Sequence, residues 1–198
     1  MQMNSLRELY VEELRDLYSA ENQILKALPR MIRAASNKDL QRAFTVHERQ
    51  TQQHVKRLER IFRMLDESTR GKKCKGMEGL LEEGQELIKE RPEPEVLDAG
   101  LIAAAQRVEH YEIAGYGTVR TYARQLGEEE QANLLQETLN EEGETDKLLT
   151  SLAESSINIE AEQADDEGME SDGNGAGSRR SGGTRRRTTT KRKAAARR

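Results

Sequence analysis

Apolar residues recur at spacings of three and four along most of the chain, and each stripe they form is broken near its midpoint by polar residues. The first stripe runs Leu6, Tyr10, Leu14, Leu17, Glu21, Ile24, Leu28, Met31, the periodicity of an amphipathic helix with one buried face. It opens on Ser5-Leu6-Arg7-Glu8, a capping-box pattern in which a hydroxyl and a carboxylate satisfy first-turn amides. Ser36 and Asn37 end it, and Asp39 falls in the first turn of the next helix, where the helix dipole favours negative charge. The second stripe is Leu40, Phe44, His47, Thr51, His54, Leu58, Ile61, Leu65.

Asp66 to Gly76 is loop by composition, and Met77 to Arg91 predicts a shorter helix that Pro92 and Pro94 terminate. A third long helix, from about Glu95 to Leu126, carries Leu101, Ala105, Val108, Glu112, Tyr116 and Val119, and stops at Gly127, a residue that takes the left-handed conformation freely. The fourth, from about Glu128 to Ser155, carries Leu135, Thr138, Glu142, Thr145, Leu149 and Leu152. A short turn, a long link and another short turn predict two antiparallel hairpins laid side by side. This is an all-α, ferritin-like four-helix bundle with one long crossover carrying a short extra helix. The bundle is expected over residues 1–159, with a disordered tail over residues 160–198 that is acidic, then Gly/Ser-rich, then basic.

Composition sharpens this reading. Apolar and charged residues each make up 34% and there is no Trp, which favours long, surface-rich helices over sheet. The single cysteine, Cys74, rules out an internal disulfide, and no Cys/His cluster suggests zinc, so a reducing cytosol fits. No apolar run approaches the roughly 18 residues of a membrane span, and the first residues lack the regions of a signal peptide. A cytoplasmic protein without a membrane partner is expected.

The net charge of −4 conceals an asymmetry. Arg179, Arg180, Arg185, Arg186, Arg187, Lys191, Arg192, Lys193, Arg197 and Arg198 are accompanied by no acid after residue 178, so residues 1–178 stand at −14. Such a tail suits nucleic-acid phosphates without sequence preference, since it has no aromatic to stack on bases. The alternative is a solvated tail, or one folded back on the acidic run from Glu160 to Asp172. Long helices with few aromatics, and a short helix with its own apolar face, predict at least a homodimer.

The polar midpoints carry the chemistry. In an antiparallel hairpin, residues equally distant from the turn lie side by side, so Glu21 faces about Thr51 and Glu112 faces about Glu142. All four fall in one layer. A single buried glutamate is commonly held by a local salt bridge. Glu21, Glu112 and Glu142 at one level, with Glu109, Glu141 and a histidine within a turn, hold too much negative charge to persist without protons or a cation. Carboxylate and imidazole at three- to four-residue spacing on facing helices is how bundles hold paired iron or manganese.

His47 and His54 are seven residues apart, about 10 Å along a helix, and are not expected to ligate one ion. His54, three residues after Thr51, is the candidate ligand. His47 is an alternative ligand or a supporting group, and Gln50 an alternative neutral oxygen donor. Tyr18 and Tyr116 lie within about a turn of Glu21 and Glu112, either as core or as phenols bonded to ligand carboxylates.

With EELRDLYSAENQILKALPRM, HERQTQQHVKRLE, KKCKGMEGLLEEG, QRVEHYEIAGYGTVR and ETLNEEGETDKLL in order, the chain resembles the bacterial YciE/YciF family of ferritin-like proteins over residues 5 to 155. The resemblance implies a four-helix ferritin-like fold, dimers, an association with stress responses and a dimetal site. Ferritins and rubrerythrins at large pair Glu-x-x-His on two helices. Here the matching positions read Thr51-x-x-His54 and Glu142-x-x-Thr145, so one glutamate and one histidine are missing, for which Glu109, Gln50 or Asp146 can compensate. Three functions compete: a di-iron or di-manganese protein reacting with peroxide or dioxygen, a non-enzymatic stress protein whose layer is a hydrogen-bond network, and a nucleoid-associated protein anchored by its tail.

Overall fold

The structure, a computed structural model, describes residues 4–164. Helix α1 spans Leu6–Ala34, α2 Lys38–Met64, α3 Lys75–Glu90, α4 Pro94–Gln125 and α5 Glu129–Leu152. The expected capping box forms: Ser5 Oγ accepts from the Glu8 amide at 3.2 Å and Glu8 accepts from the Ser5 amide at 3.1 Å. Gly127 sits at φ +77, the left-handed geometry that ends α4 and turns the chain into α5.

The four long helices form two hairpins, α1/α2 and α4/α5, joined along α1–α4 and α2–α5 contacts. Tyr10 donates to Gln131 at 2.8 Å, and Arg60 is ion-paired with Glu130, so the start of α1, the end of α2 and the start of α5 share one end of the bundle. At the other end the buried carboxylate of Asp98, on α4, accepts from the Ser36 amide at 2.8 Å, the Ser36 hydroxyl at 2.6 Å and the Asn37 amide at 2.7 Å. The link from α2 to α4 therefore travels the length of the bundle, and α3 lies against α4 and α1 on the way. Ser19 on α1 receives the Cys74 amide at 2.9 Å where α3 begins. Gly115 lets α4 approach α1 closely, because a Cβ there would meet Leu17 at 2.7 Å.

The helical backbone extends beyond the expected end. After α5 a π-helical stretch, Ala153–Ile157, continues into helical residues 158–164. No Gly or Pro interrupts this segment, and buried Ala153 and Ile157 fix it to the core, so residues 160–164 of the expected tail are helical. The remainder of that tail, with its basic run, lies outside the described residues.

The apolar interior is in two parts. One cluster gathers Ile24, Leu28, Phe44, Leu101, Ala105, Val108 and Leu149; the other gathers Leu14, Leu17, Leu58, Ile61, Tyr116, Val119 and Leu135. Between them in the register of all four helices lie Glu21, His47, Thr51, His54, Glu109, Glu112, Thr138, Glu142 and Thr145, all buried. The polar midpoints are a continuous layer across the core.

Candidate metal centre

Within that layer two groups of donor atoms converge. One ligand atom each from His47, Glu109, Glu112 and Glu142 lie within 4.8 Å of one another, as do one each from Glu21, His54 and Glu142. Glu142 belongs to both. Its Oε1 is 2.9 Å from His54 Nδ1, while its Oε2 is 4.0 Å from His47 Nδ1. The shared carboxylate thus lies between two imidazoles whose centroids are 6.5 Å apart. The seven-residue spacing of the histidines sends each to a different group.

Several of these approaches are close without being hydrogen bonds. Glu21 Oε1 lies 3.4 Å from His54 Nδ1, and Glu109 Oε1 lies 3.3 Å from His47 Nε2. Yet His54 Nδ1, His47 Nε2, both oxygens of Glu112 and Glu142, Glu21 Oε2 and Glu109 Oε2 are buried atoms with no hydrogen-bond partner among the described residues. A buried polar group left unbonded costs about 1–3 kcal/mol, and more when charged. Such a concentration in one layer leaves donor atoms that could hold a cation.

The surroundings of the two groups differ. His54 Nε2 meets Glu141 Oε2 at 2.8 Å, and Arg57 grips Glu141 with two nitrogens at 2.6 and 2.9 Å. Tyr116 donates to Glu21. Around His47 the support is thinner: Thr145 Oγ1 lies 3.4 Å from its Nδ1. That contact places His47 beside position 145, where the paired Glu-x-x-His pattern would have its second histidine. Glu109, three residues before Glu112, adds the further carboxylate.

Charge follows the same division. Burial, then Glu21, Glu142 and Glu109 nearby, hold the Glu112 carboxyl well above its ordinary range. Glu109 is likewise well above its ordinary range, through burial and Glu142. Burial also raises Glu21, against the pull of His54. For Glu142 burial is outweighed by His54 and His47, and its carboxyl is lowered. The His54 imidazole, despite burial, is pushed up to about 12 by Glu141, Glu142 and Glu21. Burial lowers His47. The bond from His54, and then Arg57, draw Glu141 down to about 2.

Other expected participants fall elsewhere. Glu141 is not in either converging group; it holds the far nitrogen of His54. Tyr18 donates to Glu59 at 3.2 Å, away from the layer's carboxylates, and half-buried Gln50 belongs to neither group. Asp146 accepts from Gln106 at 3.2 Å and faces exposed His110 at 3.3 Å. Arg57 was legible only as a basic residue one turn after His54, on the same face; its grip on Glu141 belongs to the fold.

The donor set fits divalent cations. Glu21, Glu109, Glu112 and Glu142 carry four negative charges when ionised, which two divalent ions would neutralise, with one imidazole for each group. Oxygen-rich donors with few imidazoles and no thiolate suit iron or manganese over zinc or copper.

Bundle and layer together define the class: an all-α ferritin-like bundle whose core is divided by buried carboxylates and imidazoles. The family described as "Domain of unknown function (DUF892)" matches residues 5–162. Protein YciF of Escherichia coli (strain K12) is 45% identical over 163 residues, covering 82% of this chain and 98% of YciF. The crystal structure of the E. coli stress protein YciF superposes with a TM-score of 0.76 at 44% identity, covering 79% of this chain and 99% of that one. YcfI of Rhodopseudomonas palustris superposes with a TM-score of 0.74 at 40% identity, covering 76% and 96%. The chain belongs to the YciE/YciF family. Among the described residues no helix is long and apolar enough to cross a membrane.

Proposed function

We propose that the layer is a two-metal centre, for iron first and manganese second, in a cytoplasmic stress-response protein that reacts with peroxide or dioxygen. The observation that carries this reading is the pair of donor groups sharing Glu142, one holding His54 and Glu21, the other His47, Glu109 and Glu112. A bound pair of such ions supplies one-electron redox steps and open positions for a small oxidant. The chain's own part is orientation and exclusion of water. Glu141 and Arg57 fix the His54 ring, Tyr116 holds Glu21, and the two apolar clusters seal the layer from both sides.

Metal analysis of protein purified without added metal tests the reading. Two iron or manganese ions per chain are expected, falling in Glu112→Gln while the helical fold is kept. Wild-type protein that stays metal-free under iron and manganese loading would sink the assignment, as would full occupancy in Glu112→Gln. A Glu112→Gln variant that is more stable, with a wild type that never binds metal, would identify the layer as a buried hydrogen-bond network instead.

A second reading concerns partners and rests on charge. The ten basic residues from Arg179 to Arg198, tied to an otherwise acidic chain, would anchor a homodimeric bundle to nucleic-acid phosphates. DNA binding by the full chain should weaken steeply with salt and vanish on deleting residues 173–198, and light scattering should give a dimer. Unchanged low-salt binding after that deletion, or a monomer at all concentrations, would end the corresponding part of this reading.

A further inference from the structure

Two mostly apolar cavities of about 20 Å³ each lie under α3, the outer between it and α1 and α4, the inner reaching α2 as well. The outer one reaches toward the surface at Arg30, Gln85 and Ile88; the inner one ends on Phe44, His47 and Glu109. Ala27, Met31, Leu81 and Val108 line both, so the two meet at a shared aliphatic joint. Their inner end is the less supported group of the metal layer, where His47 Nε2 and Glu109 Oε2 are without hydrogen-bond partners.

We infer that these cavities are a passage and holding site for dioxygen, delivering it to the His47 side of the centre; this rests on the two-metal reading above. A void needs about 10–15 Å³ to take one water-sized molecule, so each cavity has room for a small molecule such as dioxygen. Aliphatic walls separate the oxidants by chemistry. At the joint, hydrogen peroxide or an ion would give up hydrogen bonds with water and find no replacement from the side chains of Ala27, Met31, Leu81 and Val108, whereas apolar dioxygen gives up none. The inference assigns this route to dioxygen, with peroxide reaching the centre elsewhere, and makes α3, through Leu81, one wall of the joint. Metal ions need a different entry.

The first test needs no metal. Crystals of metal-free protein under xenon should show xenon bounded by Ala27, Met31, Leu81 and Val108, and dissolved dioxygen should broaden the methyl signals of Ala27, Leu81 and Val108. Ala27→Leu should abolish both effects, and Leu81→Ala, which widens the joint, should strengthen them. The second test uses iron-loaded protein. With dioxygen, two ferrous ions give up one electron each and dioxygen leaves with both electrons and two protons as hydrogen peroxide. With peroxide, the same two electrons and two protons yield two waters. Ala27→Leu should slow the first reaction and leave the second at the wild-type rate, with metal content unchanged. Absence of xenon and dioxygen effects in the wild type overturns the inference while the centre stands. Equal slowing of both oxidants in Ala27→Leu, or no slowing of either, overturns it as well. Gas in the cavities of a protein that never takes up metal removes the reading on which it rests.

Discussion

The two halves of the buried layer share Glu142 but are built differently. On one side the two donors that are not shared have outer partners: Glu141 and Arg57 behind His54, Tyr116 behind Glu21. On the other, both oxygens of Glu112 lack hydrogen bonds, and the support for His47 is a single 3.4 Å approach from Thr145. Outer hydrogen bonds orient ligands before an ion arrives and so reduce the ordering cost of binding. The His54 half is pre-organised, whereas the His47 half converges with fewer outer bonds to hold it. Two ions bound here should therefore differ in affinity, with the His54 half filling first.

The most severe way to break that comparison is to remove what the halves share. Glu142→Ala should lower metal content from two ions to fewer than one, read by elemental analysis; retention of one tightly held ion would show that the halves do not depend on a common carboxylate. Arg57→Ala should loosen Glu141 and weaken only the tighter ion, by about 10- to 100-fold as for other supporting groups around metal ligands. Titration that instead shows the weaker ion lost would reverse the assignment of the halves.

Stability of the metal-free protein sharpens the same contrast. Removing the unbonded Glu112 carboxyl, as in Glu112→Leu, should stabilise it by roughly 1–3 kcal/mol, the scale of an unsatisfied buried group, whereas Glu141→Gln, which breaks contacts to His54 and Arg57, should destabilise it. Thermal melts of the two variants decide this, and equal shifts would erase the distinction.

The pH dependence follows from the directions above. Glu109 and Glu112 have folded values raised well above 4.5, so the stability they contribute is present at low pH and lost as pH rises through those values. His54, raised from 6.5 to about 12, likewise contributes fully below 6.5 and loses that contribution across this interval. His47 is lowered from 6.5, so its charging opposes folding as pH falls through its folded value. Metal-free protein should therefore grow more stable as pH drops from about 8 toward 6.5. Metal-loaded protein should lose metal with acidification, because protons compete for the ligands. Melting temperatures that fall over this interval without metal would contradict the charge assignment. The smallest effect expected is that of Tyr116→Phe, which removes one bond to Glu21 worth about 1 kcal/mol and should weaken the first ion only slightly.

Much of this is legible in the sequence. Helix periodicity located all four long helices, Ser5 and Gly127 marked two of their ends, and the long link between the second and third fixed the hairpin arrangement. Equal distances from each turn brought Glu21, Glu112 and Glu142 to one level. The end of α5 was less legible, because apolar periodicity fades near Ile159 while a Glu- and Ala-rich segment without Gly or Pro continues as helix through residue 164.

What the sequence alone determined was the level of the polar layer, since backbone rise per residue and turn position leave little freedom along a helix axis. Which way each side chain points around that axis, and which neighbour it meets, was decided by packing. Glu141 and Glu142 are adjacent in the chain, yet one lies between two imidazoles and the other turns outward to Arg57. His47 and His54 lie on one stripe, yet they join different donor groups. A helix turns by about 100° per residue, so adjacent residues on α5 meet different neighbours, and only the four helices packed together fix which glutamate faces the centre and which supports it.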